Sequence, residues 1–159
     1  MNKFTTPGKV KEVNGSVINP EHVRLAIIFV PCSTTGKYES DVYTKISTRW
    51  SKVKQEYRER FVNRQQFKLG EVIMTAIASD IWIAQALCLN DKNKLDKAAL
   101  DTCVKTVVAA AKYENAYIHT SRLSLDAFPA MKKVLPTAIL PEGLNLYVYS
   151  DSEQEMVRR

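Results

Sequence analysis

A chain of 159 residues, 45% hydrophobic and 25% charged, has the size of one globular domain with its own core. Its longest apolar stretches, Leu25 to Val30 and Ile81 to Leu89, are far shorter than the roughly 20 residues of a membrane-spanning helix, and Met1 to Pro7 carries no apolar leader segment, so no membrane span and a cytosolic location are expected. The net charge of +6 resides entirely between Lys45 and Lys68, where eight basic residues meet two acidic ones.

In chain order, Lys9 to Val13 reads as a short edge strand, and Asn14-Gly15 as the turn that follows, ahead of Val17, Ile18 and a loop at Pro20 that includes His22. Arg24 to Val30 is almost wholly apolar, the pattern of a strand covered on both faces, and Pro31 is expected to end it. Tyr43, Ile46, Trp50, Val53, Tyr57 and Phe61 recur at spacings of three and four, which builds one aromatic stripe along a helix. Core packing explains that stripe. The helix's other faces would carry Lys45, Arg49, Lys52, Arg58, Arg60 and Arg64. These form a candidate basic interaction face for nucleic acid, a nucleotide or an acidic protein, with a merely solvated helix face as the alternative.

Glu71 to Ala78 is a second apolar strand after Gly70, and Ile81 to Leu89 fits strand or helix by pattern alone. Leu100, Cys103, Val104, Val107, Val108 and Ala111 follow the helical i, i+3, i+4, i+7 rule. Ala116 to His119 forms another strand, Asp126 is placed to cap a short helix through Val134, and Leu144 to Tyr149 alternates as a closing strand. This order predicts a single α/β domain over residues 1–150 and a polar tail over 151–159. Cys32, Cys88 and Cys103 are odd in number and lack CxxC spacing, which points to reduced, buried thiols rather than a disulfide or zinc site. No metal or cofactor is expected.

Three groups of residues resemble the macro domain family. Ala116-Tyr117-Ile118-His119-Thr120-Ser121-Arg122-Leu123-Ser124 looks like a family strand written His, apolar, Pro, Arg, apolar, Gly, with His119, Arg122 and Leu123 in place and Ser121 and Ser124 at the proline and glycine. Leu69-Gly70-Glu71-Val72-Ile73 and Ile81-Trp82-Ile83-Ala84-Gln85 are similar to its Leu-Gly-x-Val and Trp-Ile-Ala-Asn stretches. Gly36-Lys37-Tyr38-Glu39-Ser40-Asp41 stands where the first phosphate loop would be, with Glu39 and Asp41 at glycine places. Gly15-Ser16-Val17 resembles a Gly-Asp-Ile/Val segment whose aspartate holds an adenine amino group. The likeness spans about residues 9 to 150 and is nearest to the chromatin-remodeller and phage branch, which together with lysine and asparagine richness suggests a viral source and, in that case, a host cytoplasm.

The resemblance implies a three-layer α/β/α domain with a mixed, mostly parallel sheet. It also implies a cleft for ADP-ribose or a related nucleotide, lined by Gly15, Ser16, Cys32, Gly36, Lys37, His119 and Arg122. Glycine lets backbone amides approach a pyrophosphate, so carboxylates in those places predict weak or altered binding. Two readings follow: a divergent, non-catalytic binder of such a nucleotide, or a degenerate scaffold that contacts protein or nucleic acid through the basic helical face or the refilled cleft. An ADP-ribosyl hydrolase is a third. Its nearest candidate pairs would be Lys45 with Asp126 and Cys32 with His119, each more simply read as structural. His119 fits either a ligand contact or a strand-end histidine satisfied by backbone. Arg122 fits either a phosphate clamp or a pin for neighbouring carbonyls.

Overall fold

The computed structural model describes residues 6–21 and 23–151; His22 and the expected tail over 152–159 lie outside them, as do residues 1–5. Six strands, β1 (Val10–Val13), β2 (Ala26–Ser33), β3 (Val72–Ala78), β4 (Ile81–Leu89), β5 (Tyr117–Ser121) and β6 (Leu146–Tyr149), form one sheet in the order β1-β6-β5-β2-β4-β3. Every neighbouring pair is parallel except the β3–β4 hairpin, so the sheet is mixed and mostly parallel. Helices α1 (Asp41–Arg49) and α2 (Ser51–Asn63) cover one face, and α3 (Lys97–Glu114), α4 (Arg122–Ala127) and α5 (Pro129–Ile139) the other. This is a three-layer α/β/α architecture. The layers exist because β2 and β4 are apolar on both faces and must be covered twice.

The helix α3 starts where the Asp96 carboxylate accepts from the Ala99 amide, and it stops where Asn115 turns left-handed. Its buried face, Leu100, Cys103, Val104, Val107, Val108 and Ala111, follows the expected period. Burial stabilises by ~1.5–3 kcal/mol for each of the larger side chains.

Three local expectations are corrected, and one that was open, Ile81 to Leu89, is settled as a strand. Pro31 does not end β2, which runs on to Ser33. The Leu25 and Phe29 carbonyls accept from Tyr117 N and Thr120 Oγ1 of β5, so odd positions of this stretch point to β5. Pro31 is the next odd position, past Ile28, the last β2 residue paired with β5. Its missing N–H therefore breaks no ladder bond. The aromatic stripe spans two helices, because Trp50 is extended (φ −133°, ψ 91°) between α1 and α2, after Ser47 and Thr48, both weak helix formers. Tyr43 and Tyr57 still meet edge-on across the bend, 5.7 Å between centroids. Ile81 to Leu89 is a strand, and it pairs with both β2 and β3. Asp126 lies inside α4 and pairs with Lys132 at 2.9 Å; the cap is Ser121, whose Oγ accepts from the Leu123 amide.

Candidate functional site

The parallel strands β1, β6, β5 and β2 end on one side of the sheet, at Val13, Tyr149, Ser121 and Ser33. Loops 14–20 and 34–40, the start of α4 and the pair Ser150-Asp151 surround those ends. Open α/β sheets bind ligands at this edge. Strand ends and helix starts leave backbone amides to be satisfied there.

In the 34–40 loop the amides of Gly36, Lys37 and Tyr38 are satisfied internally. The Tyr57 hydroxyl, buried beneath the loop, accepts from Gly36 N (3.1 Å) and Tyr38 N (3.3 Å) and donates to the Ser33 carbonyl at 2.7 Å. Gly36 is left-handed (φ +77°), and its Cα faces the Phe61 ring so closely that a Cβ there would lie 2.4 Å from it. Thr35 Oγ1 accepts from Lys37 N, while the Lys37 side chain is exposed. Glu39, expected to repel a diphosphate, instead faces α2. It accepts from Lys54 Nζ at 2.8 Å and Thr44 Oγ1 at 3.1 Å, and these bonds hold its carboxyl below the ordinary range.

A second knot ties loop 14–20 to α1. Asp151, placed by sequence at the head of a polar tail, is instead buried. Its two carboxylate oxygens accept from Val17 N at 3.1 and 3.2 Å, Lys45 Nζ lies 3.1 Å from Oδ1, and its own amide donates to the Gly15 carbonyl. Gly15 N donates to Ser150 Oγ, and Ser16 Oγ accepts from Ile18 N. Gly15 itself faces open space, its nearest neighbour for a Cβ being Val13 Cγ1 at 4.0 Å.

His119 is buried and stacks on Tyr147 at 4.6 Å. The Tyr149 hydroxyl accepts from Glu21 N at 2.8 Å and shares a hydrogen bond with His119 Nδ1, also at 2.8 Å. Burial pushes the imidazole down to about 3, so it is neutral. A side-chain hydroxyl, not the expected backbone, satisfies this histidine. Arg122 opens α4 and pairs with Glu12 on β1. The Cys32 side chain is fully buried, its Sγ 3.9 Å from Gln85 Oε1, so the thiol lies in the core rather than the cleft. Burial raises the Cys32 and Cys88 thiols and pushes Cys103 up to about 12. All three are free and buried, as expected.

The hydrolase pairs are not assembled: Lys45 binds Asp151 while Asp126 binds Lys132, and the Cys32 thiol and His119 have the separate partners named above. Among the described residues, no group of three or more His, Cys, Asp or Glu is placed to hold a metal.

The basic residues are spread over two helices. At about 100° per residue, Arg58 lies roughly 120° and Arg60 roughly 80° around α2 from Lys52. Lys52 donates to the Ala76 carbonyl of β3, Arg60 to Gln66 Oε1, Arg49 lies over the Trp50 ring, and Arg64 lies over Phe61 at the left-handed end of α2. Lys45 turns into the cleft. The charge is concentrated in sequence and divided in space.

No protein-family model and no curated protein matches the sequence, but solved structures do. A macrodomain protein from Streptomyces coelicolor superposes with a TM-score of 0.83 at 20% identity, over 90% of this chain and 99% of that one. The chain has the macrodomain fold. The macrodomain of Mycobacterium tuberculosis DarG gives 0.75 at 12% identity, over 91% and 99%. Thermosipho africanus DarTG in complex with ADP-ribose gives 0.68 at 14% identity, over 91% of this chain and 42% of that one. In this macrodomain fold the loops that close on Tyr57 and Asp151 are those the sequence resemblance assigned to phosphate and base. Tyr57, Tyr149 and Asp151 are the cleft residues that sequence reasoning missed. The two tyrosines were assigned only to core and strand, and a lone aspartate after the last strand carries no local pattern.

Proposed function

We propose that this chain is a non-catalytic macro-like module that binds ADP-ribose or a related nucleotide weakly. The observation that carries this reading is the edge where the parallel strands β1, β6, β5 and β2 end together, with Lys37 exposed on the loop beside it. Support comes also from a solved neighbour of the same fold that holds ADP-ribose. Weak binding follows from the amides of Gly36, Tyr38 and Val17, which already have internal acceptors. A ligand must replace those bonds rather than find the donors free. Binding uses Lys37 and Arg122 for phosphate, and Arg122 must first exchange Glu12 for it. Gly15, Ser16, Gly36 and His119 shape the wall, and Cys32 contributes only backbone.

Calorimetry with ADP-ribose tests this. A dissociation constant on the order of 0.1 mM, about −5.5 kcal/mol, is expected, with a several-fold loss on Lys37→Glu. Absence of saturable heat at millimolar ligand, with no amide shifts in loops 14–20 and 34–40, would overturn it. That outcome would favour the second reading, a scaffold whose self-satisfied cleft contacts a protein, because such a contact needs no free amides.

A further inference from the structure

We infer that β3, an edge strand of the sheet, pairs antiparallel with the β3 of a second copy of this chain, joining two sheets into one about a twofold axis at Met74. The strand ends the order β1-β6-β5-β2-β4-β3 and runs Val72-Ile73-Met74-Thr75-Ala76-Ile77-Ala78, with no charge and no proline. Native sheets keep their edges short, charged or covered, because an open row of amides and carbonyls takes up another strand. The opposite edge, β1, obeys this: it has 4 residues, Lys11 and Glu12 among them. On β3 the regular edge stops only at the register shift between Ala76 and Ala78.

The Glu71 carbonyl accepts from Leu87 N of β4, one residue before the Val72–Ala86 pair. Alternation along an antiparallel pair then turns Ile73 and Thr75 toward β4 and leaves the amides and carbonyls of Val72, Met74 and Ala76 facing outward. The Ala76 carbonyl bears this out, since it accepts from Lys52 Nζ of α2 at 3.3 Å. That ammonium stands where a neighbouring strand's amide would donate. Centred on Met74, a second copy opposes Met74 to its own Met74 and Val72 to its Ala76, and each opposed pair exchanges both N–H···O bonds. The charges at the two ends suit this arrangement. Lys68 and Glu71 stand at the amino end of β3, Lys52 and Asp80 at its carboxyl end. Antiparallel pairing brings Glu71 of one copy to the Lys52 end of the other, and Lys68 to the Asp80 end, whereas parallel pairing would set like charges side by side. As the Val72 amide takes over the Ala76 carbonyl, Lys52 exchanges a neutral oxygen for a carboxylate. Both pairings repeat about the axis, which selects a second copy over an unrelated strand.

The inference stands apart from the nucleotide reading, because β3 supplies no strand end to the cleft. One strand pair makes a small interface, so a dimer dissociation constant on the order of 0.1 mM is expected at low salt, read by sedimentation equilibrium between about 10 μM and 1 mM. Amide exchange followed by NMR reports the register: Val72, Met74 and Ala76 should gain protection as concentration rises, while Ile73 and Thr75 should be protected throughout. Lys52→Glu sets carboxylate against Glu71 and should weaken association about tenfold. Adding Glu71→Lys to the same chain reverses both partners and should restore association to within about threefold of native. A protein still monomeric at millimolar concentration would overturn the inference and leave this edge to an extended segment of another protein. A dimer whose Val72, Met74 and Ala76 amides exchange as in the monomer, or an association that Lys52→Glu leaves unchanged, would overturn it too. Should either variant fail to fold, the concentration dependence of the native amides decides alone: protection of those three supports the pairing, and its absence refutes it.

Discussion

Replacing Gly36 by alanine separates a glycine kept for the fold from one kept for a ligand. The new methyl would lie 2.4 Å from Phe61 Cγ and 2.5 Å from Cδ1 and Cδ2, on a backbone at φ +77°. Holding an L-residue left-handed costs ~1–2 kcal/mol, and displacing a ring in a packed setting adds ~1–3 kcal/mol. The expected loss is therefore ~2–5 kcal/mol, a large share of the ~5–15 kcal/mol that a domain has in total, and for this size a fall in Tm of roughly 5–20 °C. Urea denaturation of four proteins measures it: native, Gly36→Ala, Phe61→Ala and the double variant. Removing the ring relieves the clash and leaves the backbone strain, so the cycle should show a coupling of ~1–3 kcal/mol. Gly15→Ala is the control; its methyl meets nothing nearer than 4.0 Å, and it should stay within ~0.5 kcal/mol of native. A Gly36→Ala protein as stable as native, or additive losses with Phe61→Ala, would refute the reasoning and return Gly36 to a purely ligand-facing role.

Tyr57→Phe removes one oxygen that serves the Gly36 and Tyr38 amides and the Ser33 carbonyl, and leaving such groups unpaired costs ~1–3 kcal/mol each where water cannot enter. A loss of ~2–4 kcal/mol in urea denaturation is expected; a loss under ~1 kcal/mol would mean that the loop finds other partners. His119 takes a proton near pH 6.5 in the unfolded chain and only near 3 when folded. Its contribution is therefore complete above about pH 6.5 and is lost as pH falls through that window toward 3, at up to ~1.4 kcal/mol per pH unit. Urea midpoints at pH 7, 5.5 and 4.5 should fall more steeply for native protein than for His119→Gln, and parallel slopes would contradict the buried neutral imidazole.

What the sequence makes legible is what repeats or alternates. The apolar run of β2, the helical period of α3 and the closing strand β6 each announce burial through their own spacing, so the layers and the ends that frame the cleft could be read ahead of the structure. The polar contents of the cleft could not. Tyr57 reaches Gly36 across 21 residues and Asp151 reaches Lys45 across 106, and a single long-range bond imposes no pattern on either partner's neighbours. The spatial division of the basic run was hidden for a related reason. Adjacency in sequence places Lys45 on α1 and Lys52, Arg58 and Arg60 around α2, and the extended Trp50 between the helices turns them apart. Pro31 was misread because its cost depends on which neighbour strand its nitrogen points toward, a property of the register.

The cleft's chemistry follows from a constraint on the fold. Parallel strands that end together, beside a helix that begins there, gather backbone donors at one edge, and each needs an acceptor whether or not a ligand is bound. Ligand and water can supply those acceptors, or the chain can. This chain supplies at least two, and they differ in kind. The Tyr57 oxygen belongs to a side chain 1% exposed within an aromatic cluster with Tyr43 and Phe67, so withdrawing it would unpack the helix that carries it. The Asp151 carboxylate lies two residues beyond the last strand and meets a lysine still partly in solvent. Its release costs a few polar bonds and no packing of a helix. The backbone of the 34–40 loop is therefore the more fixed of the two walls, and the tie through Asp151 the more readily opened.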